Sequence, residues 1–160
     1  MPFTPFHFGP AILIGAMLGT AVDLPALLLG SVLLDLEPFL VLLFGLPFPL
    51  HGFFHTLAGA LVAGTTLGLI SIRLRPRLAR LYTTLRLPLP AMRTIFLSAL
   101  GGTLLHVLLD APLYADIQPF WPLAPNYLFG TVSAAAIYAG CMVTGLAGIT
   151  LTATRTTRPR

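Results

Sequence analysis

The sequence predicts an all-α integral membrane protein, a bundle of about five transmembrane helices, from its composition and its length. Of its 160 residues, 56% are hydrophobic and only 9% are charged, whereas roughly 25% of a typical soluble domain is charged. The mean hydropathy is +0.91. So few charges cannot cover a soluble monomer, and disorder requires low hydrophobicity with high charge. The length suits one domain with about five spans of ~20 residues each.

Apolar segments and turn-forming residues alternate along the chain. The predicted helices cover 8–22, 24–45, 51–72, 91–110 and 127–153. The first is short for a full crossing, so we expect it to be tilted or shallow. The second follows Asp23, a helix-capping residue, and we expect Pro38 to break it. A single membrane domain over 1–160 follows.

All nine basic residues are arginines, and their positions predict the orientation of the helices. They are Arg73, Arg75, Arg77, Arg80, Arg86, Arg93, Arg155, Arg158 and Arg160. Clusters that bracket apolar segments are typical of cytoplasmic loops in membrane proteins, so we favour a lipid bilayer over a nucleic acid as the partner. We therefore expect a cytoplasmic Arg-rich loop over 73–90 (to 93 with its flank) and a cytoplasmic C-terminus in a multi-pass protein of the cell membrane.

The histidines and most acidic residues fall in the half of the membrane opposite the arginines. They occur in four short stretches: His7; Asp35 and Glu37; His51 and His55; His106, Asp110 and Asp116. The orientation set by arginine alone places all four stretches toward the outer face. Only Asp23 lies at the cytoplasmic end, where we interpret it as a helix cap.

The spacing of these residues predicts a metal site. His51 and His55 are four residues apart, as are His106 and Asp110, so each pair shares a helix face. Imidazole with carboxylate suits Zn²⁺, Mn²⁺ or Fe²⁺. A bound metal would also offset the roughly 2.5–3.5 kcal/mol that a carboxylate costs at a helix centre. The single Cys141 offers neither a disulfide nor a cysteine-based metal site.

Each polar residue also has a purely structural interpretation. His7, His51 and His55 are suited to the membrane interface, Asp110 to a helix end and Glu37 to a turn before proline. Asp116 is either a solvated loop residue or a partner of a ligand. All of these structural interpretations would have to be correct at once for the chain to have no metal site.

Four sequence elements resemble the membrane-bound metal-dependent hydrolase family (the YdjM-like group). The family pattern has an N-terminal His, an L-P-D-x-D element, an H-R-G-x-T-H-S element and H-x-x-x-D followed by W-P. The counterparts are His7, Leu34–Pro38, His51–Thr56, His106–Asp110 and Trp121-Pro122. Leu34 and Glu37 replace the family's Pro and second Asp, and His51 occupies its Arg position.

The resemblance implies a helical membrane hydrolase with a metal cofactor, distantly similar to zinc-dependent phospholipase C-like enzymes. We expect one or two divalent transition-metal ions, with zinc favoured. The expected ligands are His7, Asp35, His51, His55, His106 and Asp110. Asp35 or Glu37 is the expected general base, and the expected substrate is an ester or phosphoester of a lipid or lipid-linked molecule. A proton or metal-ion transporter is the alternative, and a structural role is a third hypothesis.

Overall fold

The structure, a computed structural model, describes residues 4–84, 88–123 and 125–156. These residues form α-helices and short 3₁₀ turns without a strand, which confirms the predicted all-α bundle. The helices are α1 (Phe8–Leu18), α2 (Leu24–Leu33), α3 (Leu36–Phe44), α4 (Leu57–Thr84), α5 (Met92–Asp110) and α6 (Ala134–Thr156). Arg86, Arg158 and Arg160, used above for orientation, lie outside the described residues.

Four helical segments in this part of the chain are long and apolar enough to cross a membrane. They are Leu24–Phe44, Leu57–Thr84, Met92–Asp110 and Ala134–Arg155. The first predicted segment is shorter: α1 has 11 residues, about 16 Å of helix against a hydrocarbon core of about 30 Å. Composition and helix length therefore support insertion of the four long helices in a membrane.

The second predicted helix is interrupted, and Pro38 explains where. Pro38 has no N–H to donate to Leu34, so the carbonyl of Leu34 accepts from the N–H of Glu37 instead, at 3.0 Å. The N–H of Asp35 likewise reaches only three residues back, to Val32 at 3.2 Å. The break therefore falls at 34–35, one turn before the proline, and Pro38 lies in the first turn of α3, where a missing N–H is tolerated.

The third predicted helix begins and ends later than expected. Thr56 caps α4, because its Oγ1 accepts from the N–H of Gly59 at 2.9 Å. The helix consequently starts at Leu57, and His51 lies outside it. At its other end, α4 continues through the Arg-rich stretch to Thr84, so the prediction of a loop over 73–90 was wrong for 73–84. Arg, Leu and Ala are strong helix formers, and here they override the single Pro76.

The fifth predicted helix, over 127–153, was placed too early, because α6 begins only at Ala134. Ser133 is its cap, since its Oγ accepts from the N–H of Ala136 at 3.2 Å. The preceding residues instead turn around Asn126, whose side-chain amide donates to the carbonyls of Ala111 and Tyr114. The fourth segment, predicted over 91–110, agrees closely with α5.

Helices α2 and α4 both pack closely on α5, and α1 packs on α6. The backbones of α2 and α5 lie so close together that a Cβ added to Gly30 would be 2.6 Å from the carbonyl oxygen of Ala99. Side chains of the core, such as Leu34, Ile95 and Val107, are almost fully buried. This packing places the end of α5, the end of α2 and the beginning of α4 at one end of the bundle.

A small polar cluster lies at the opposite end, where α4 ends and α5 begins. The Asp23 carboxylate accepts from the hydroxyl of Tyr82 at 2.8 Å, and its backbone N–H donates to Ser98 Oγ at 2.8 Å. Burial raises the pKa of Asp23. The described arginines, including Arg75 and Arg155, occupy this same end. The arginines and the predicted site residues are therefore separated along the bundle.

Candidate metal centre

Four buried side chains from three parts of the chain converge where α2, α4 and α5 meet. Asp35 lies at the break between α2 and α3, His55 ends the 3₁₀ turn before α4, and His106 and Asp110 lie one turn apart on α5. One ligand atom from each of the four lies within 4.8 Å of all the others. This group of four could hold a metal ion.

The ligand atoms surround His106. Its Nε2 lies 3.3 Å from Nε2 of His55, 3.4 Å from Oδ2 of Asp110 and 3.8 Å from Oδ1 of Asp35. The side chains of His55, His106 and Asp110 are at most 1% exposed. The centre is therefore almost completely withdrawn from water.

The outer hydrogen bonds of the two imidazoles determine which nitrogen faces the centre. Nδ1 of His106 lies 2.9 Å from the carbonyl oxygen of Ser31. Because a carbonyl only accepts, this Nδ1 carries the hydrogen and donates it. Nδ1 of His55 donates in the same way to Oε2 of Glu37 at 2.8 Å. In the neutral imidazoles, both Nε2 atoms therefore present lone pairs to the centre.

These lone pairs create an electrostatic problem that a cation would solve. With both imidazoles neutral, the two Nε2 lone pairs face each other at 3.3 Å, and Oδ2 of Asp110 lies 3.4 Å from Nε2 of His106. That oxygen is buried and has no hydrogen-bond donor among the described residues. Burying a carboxylate oxygen without a partner is costly. A positive ion bound between these atoms would compensate the carboxylate and the opposed lone pairs together.

His7 supports the group of four from the side. Its Nε2 donates to Oδ1 of Asp110 at 3.1 Å, which directs the other carboxylate oxygen toward the centre. Its ring stacks on that of His106, with centroids 4.2 Å apart. The 3₁₀ turn Thr4–His7, immediately before α1, places it there. His7 therefore restrains two members of the group.

His51 lies on the other side of the centre. Its Nδ1 donates to Oδ2 of Asp116 at 2.9 Å, and its ring meets His55 edge-on with centroids 4.8 Å apart. Tyr114 packs against the same ring at 4.4 Å, and burial raises the pKa of its hydroxyl, so it stays protonated at neutral pH. Asp116 is thus a partner of His51 and not an isolated loop residue.

The structure brings all six predicted ligands together, but not always for the expected reason. His51 and His55 were expected on one face of α4, and this was wrong, because both precede the helix; a turn brings their rings together. Asp35, His55, His106 and Asp110 form the group of four. His7 and His51 adjoin it, and their role as direct ligands stays a prediction.

Sequence reasoning missed two contributors to the site. The carbonyl of Ser31, which orients His106, belongs to the backbone, so its residue type carries no signal. Tyr114 is not among the predicted site residues, because nothing in its spacing links it to His51.

The fold and the site define a helical membrane protein with a buried group of histidines and aspartates suited to a metal ion. No family model matches the chain, and comparisons with curated proteins and with solved structures found no significant match.

Proposed function

We propose that the protein is a membrane-embedded, metal-dependent hydrolase that acts on an ester or phosphoester of a lipid or lipid-linked substrate. The observation that carries the proposal is the group of four, in which His106 and His55 donate to Ser31 and Glu37, so that the Nε2 lone pairs of both neutral imidazoles face the group. A catalytic metal site needs such preorganised ligands and an open coordination position. The order of the four sequence elements, which resembles the membrane-bound metal-dependent hydrolases, supports the same assignment.

Zinc is the metal that the ligand chemistry favours. Two histidines and a carboxylate are a common donor set for catalytic zinc, and zinc bonds of about 2.0 Å in a tetrahedron separate the ligand atoms by about 3.3 Å. The separations of His106 Nε2 from His55 and Asp110, at 3.3 and 3.4 Å, suit this arrangement. Asp35 lies farther away, at 3.8 Å. We therefore assign His55, His106 and Asp110 as the ligands of one ion.

The two predicted catalytic carboxylates receive different roles in this proposal. A bound zinc supplies Lewis acidity and lowers the pKa of water from 15.7 to about 7. Asp35 would be the general base, because its Oδ1 faces the same group and lies farther from His106 Nε2, at 3.8 Å, than the atoms of the two other assigned ligands do. Glu37 is a positioning residue, since its Oε2 already accepts from both His55 and the N–H of Gly52. The apolar helices around the centre exclude bulk water.

The site lies toward the outer face of the cell membrane in this proposal. The arginines at the opposite end of the bundle support a cytoplasmic location for that end. A lipid head group would then reach the centre from the outer leaflet.

Metal analysis with a hydrolase panel tests the proposal. Purified protein should contain tightly bound zinc, and His106→Ala and Asp110→Ala should lose it. Asp23→Asn is the matched control, because it alters a buried carboxylate at the other end of the bundle and should retain the metal. Hydrolysis of bis(p-nitrophenyl) phosphate or of a phospholipid should disappear with a chelator and with Asp35→Asn.

Three outcomes would contradict the proposal. Unchanged metal content in His106→Ala and Asp110→Ala would remove the metal centre. Bound metal without any hydrolysis across the panel would remove the enzymatic role. Metal flux into proteoliposomes, abolished by Asp23→Asn, would favour a transporter instead.

A further inference from the structure

An apolar groove of about 820 Å³ opens beside the metal centre, between α3 and α4. One wall consists of α3 and the chain that returns from it, including Leu40, Val41 and Phe48. The other wall is one face of α4, where Val62, Thr66 and Ile70 recur at four-residue intervals. The groove is large enough to hold part of a ligand.

The groove offers hydrocarbon and almost no polar contact. The hydroxyl of Thr66 donates to the carbonyl of Val62 within the same helix, at 2.9 Å, so it is already satisfied. The only charged residue among those that line the groove is Glu37. Phe48 and Val62 remain 64% and 52% exposed. A ligand that fills this space must therefore be apolar along its length.

Glu37 connects the groove to the metal centre. Its carboxylate lines the groove and accepts from Nδ1 of His55 at 2.8 Å, and the other nitrogen of that ring faces the group of four. Gly52, which also lines the groove, lies against the same carboxylate: a Cβ there would be 2.7 Å from its Oε1. One end of the groove is therefore a single side chain away from the metal ligands.

The length of the groove matches the depth of one leaflet. Val62 and Ile70 are eight residues apart on α4, about 12 Å along the helix axis. One leaflet of the hydrocarbon core is about 15 Å deep. A chain that begins at the metal centre and follows the groove would therefore extend through most of a leaflet.

We propose that this groove binds an acyl chain of the substrate lipid while the head group of that lipid lies at the metal centre. This inference rests on the proposed function, because it assigns the substrate of that same site. The proposed substrate is therefore a lipid with a long acyl chain, which α3 and α4 would hold between them.

Lipid retention by native mass spectrometry tests the groove independently of hydrolysis. The probe is dioleoyl phosphatidylglycerol, added to the purified full-length protein in detergent. The wild type should retain one lipid, and Thr66→Trp should lower its occupancy by about tenfold or more, because the indole takes the volume that the chain would fill. Val62→Trp is a second groove variant in case the first does not fold. Leu69→Trp is the matched control, since Leu69 is exposed on α4 but outside the groove.

Equal lipid occupancy in the groove variants and in Leu69→Trp would overturn the proposal. A hydrolysis arm then separates it from the proposed function. In a groove variant, turnover of the phospholipid should fall while turnover of the soluble bis(p-nitrophenyl) phosphate stays at the wild-type rate. An equal fall for both substrates would also count against a chain-binding groove. If the wild type hydrolyses neither substrate, the proposed enzyme fails, and lipid retention alone still decides whether the groove binds a chain.

Discussion

Substitution of Glu37 tests how the negative charge of this carboxylate, which accepts from the proposed ligand His55, affects metal affinity. Two contacts of this carboxylate go to Oε2, which accepts from His55 Nδ1 at 2.8 Å and from the N–H of Gly52 at 3.1 Å, and the N–H of Phe54 donates to Oε1 at 3.5 Å. Glu37→Gln can keep the two hydrogen bonds to Oε2 with its amide oxygen, while it removes the negative charge and the long contact at Oε1. Glu37→Ala removes the charge and all of these hydrogen bonds. Loss of such outer partners lowers metal affinity by about 10- to 100-fold in comparable sites.

We therefore expect Glu37→Gln to weaken zinc binding by about tenfold and Glu37→Ala by about a hundredfold, or about 1.4 and 2.7 kcal/mol. The negative charge makes His55 a more basic ligand, and the hydrogen bond fixes its ring. Competition with a chromophoric chelator measures the affinity. The expected zinc affinity is highest for the wild type, lower for Glu37→Gln and lowest for Glu37→Ala.

Asp116→Asn is the internal control for this experiment. Asp116 forms the same kind of bond to His51, which lies outside the group of four, so its zinc affinity should stay near that of the wild type. An affinity for Glu37→Ala equal to that of the wild type would refute the assignment of His55 as a ligand. A loss in Asp116→Asn as large as that in Glu37→Gln would instead show that His51 takes part in binding.

Three further predictions concern stability and orientation. Gly30→Ala should lower the free energy of unfolding by about 1–3 kcal/mol, because the added Cβ would meet the backbone of α5. Gly140→Ala has open space around it and should raise the free energy of unfolding by up to about 1 kcal/mol. Chemical unfolding in detergent compares the two variants. Burial raises the pKa of Asp23 above 3.8, so the free energy of unfolding should fall as the pH rises from 3.8 through the folded-state pKa. Subtracting the pH profile of Asp23→Asn from that of the wild type isolates this fall. A difference between the two profiles that does not change with pH would contradict the prediction. The orientation is tested with a membrane-impermeant thiol reagent in a variant without the native cysteine. Thr83→Cys should react only after the cells are opened, and Tyr127→Cys should react in intact cells. The reverse pattern would invert the proposed orientation.

Local sequence rules predicted the helices well where a single signal decided the boundary. Pro38 predicted the interruption of the second segment, and the missing N–H explains why the break falls one turn earlier. The predictions failed where several weak signals compete. Arginines were taken as loop formers between 73 and 84, although their helix propensity continues α4 there. The caps Thr56 and Ser133 were not used, so two helix starts were placed too early.

The candidate site shows a similar division. The four-residue spacing of His106 and Asp110 predicted a shared face, and α5 places both in the group of four. The same spacing in His51 and His55 carried no such geometry, because the chain there forms a turn and not a helix. Their rings still meet, since the turn is anchored by Glu37 through bonds to Gly52 and His55. Spacing is informative only after the type of backbone is known.

The sequence by itself determined that the chain belongs in a membrane and that its ligand-type residues lie opposite its arginines. Both follow from composition and order along the chain, because burial in lipid depends on local hydropathy and on where charges interrupt it. Only the tertiary structure decided which atoms face the centre. Ser31 orients His106 across 75 residues, and His7 orients Asp110 across 103. Such bonds depend on the packing of helices against one another, which no local pattern encodes. They distinguish a preorganised group that could hold a metal ion from a set of polar residues at one end of a bundle.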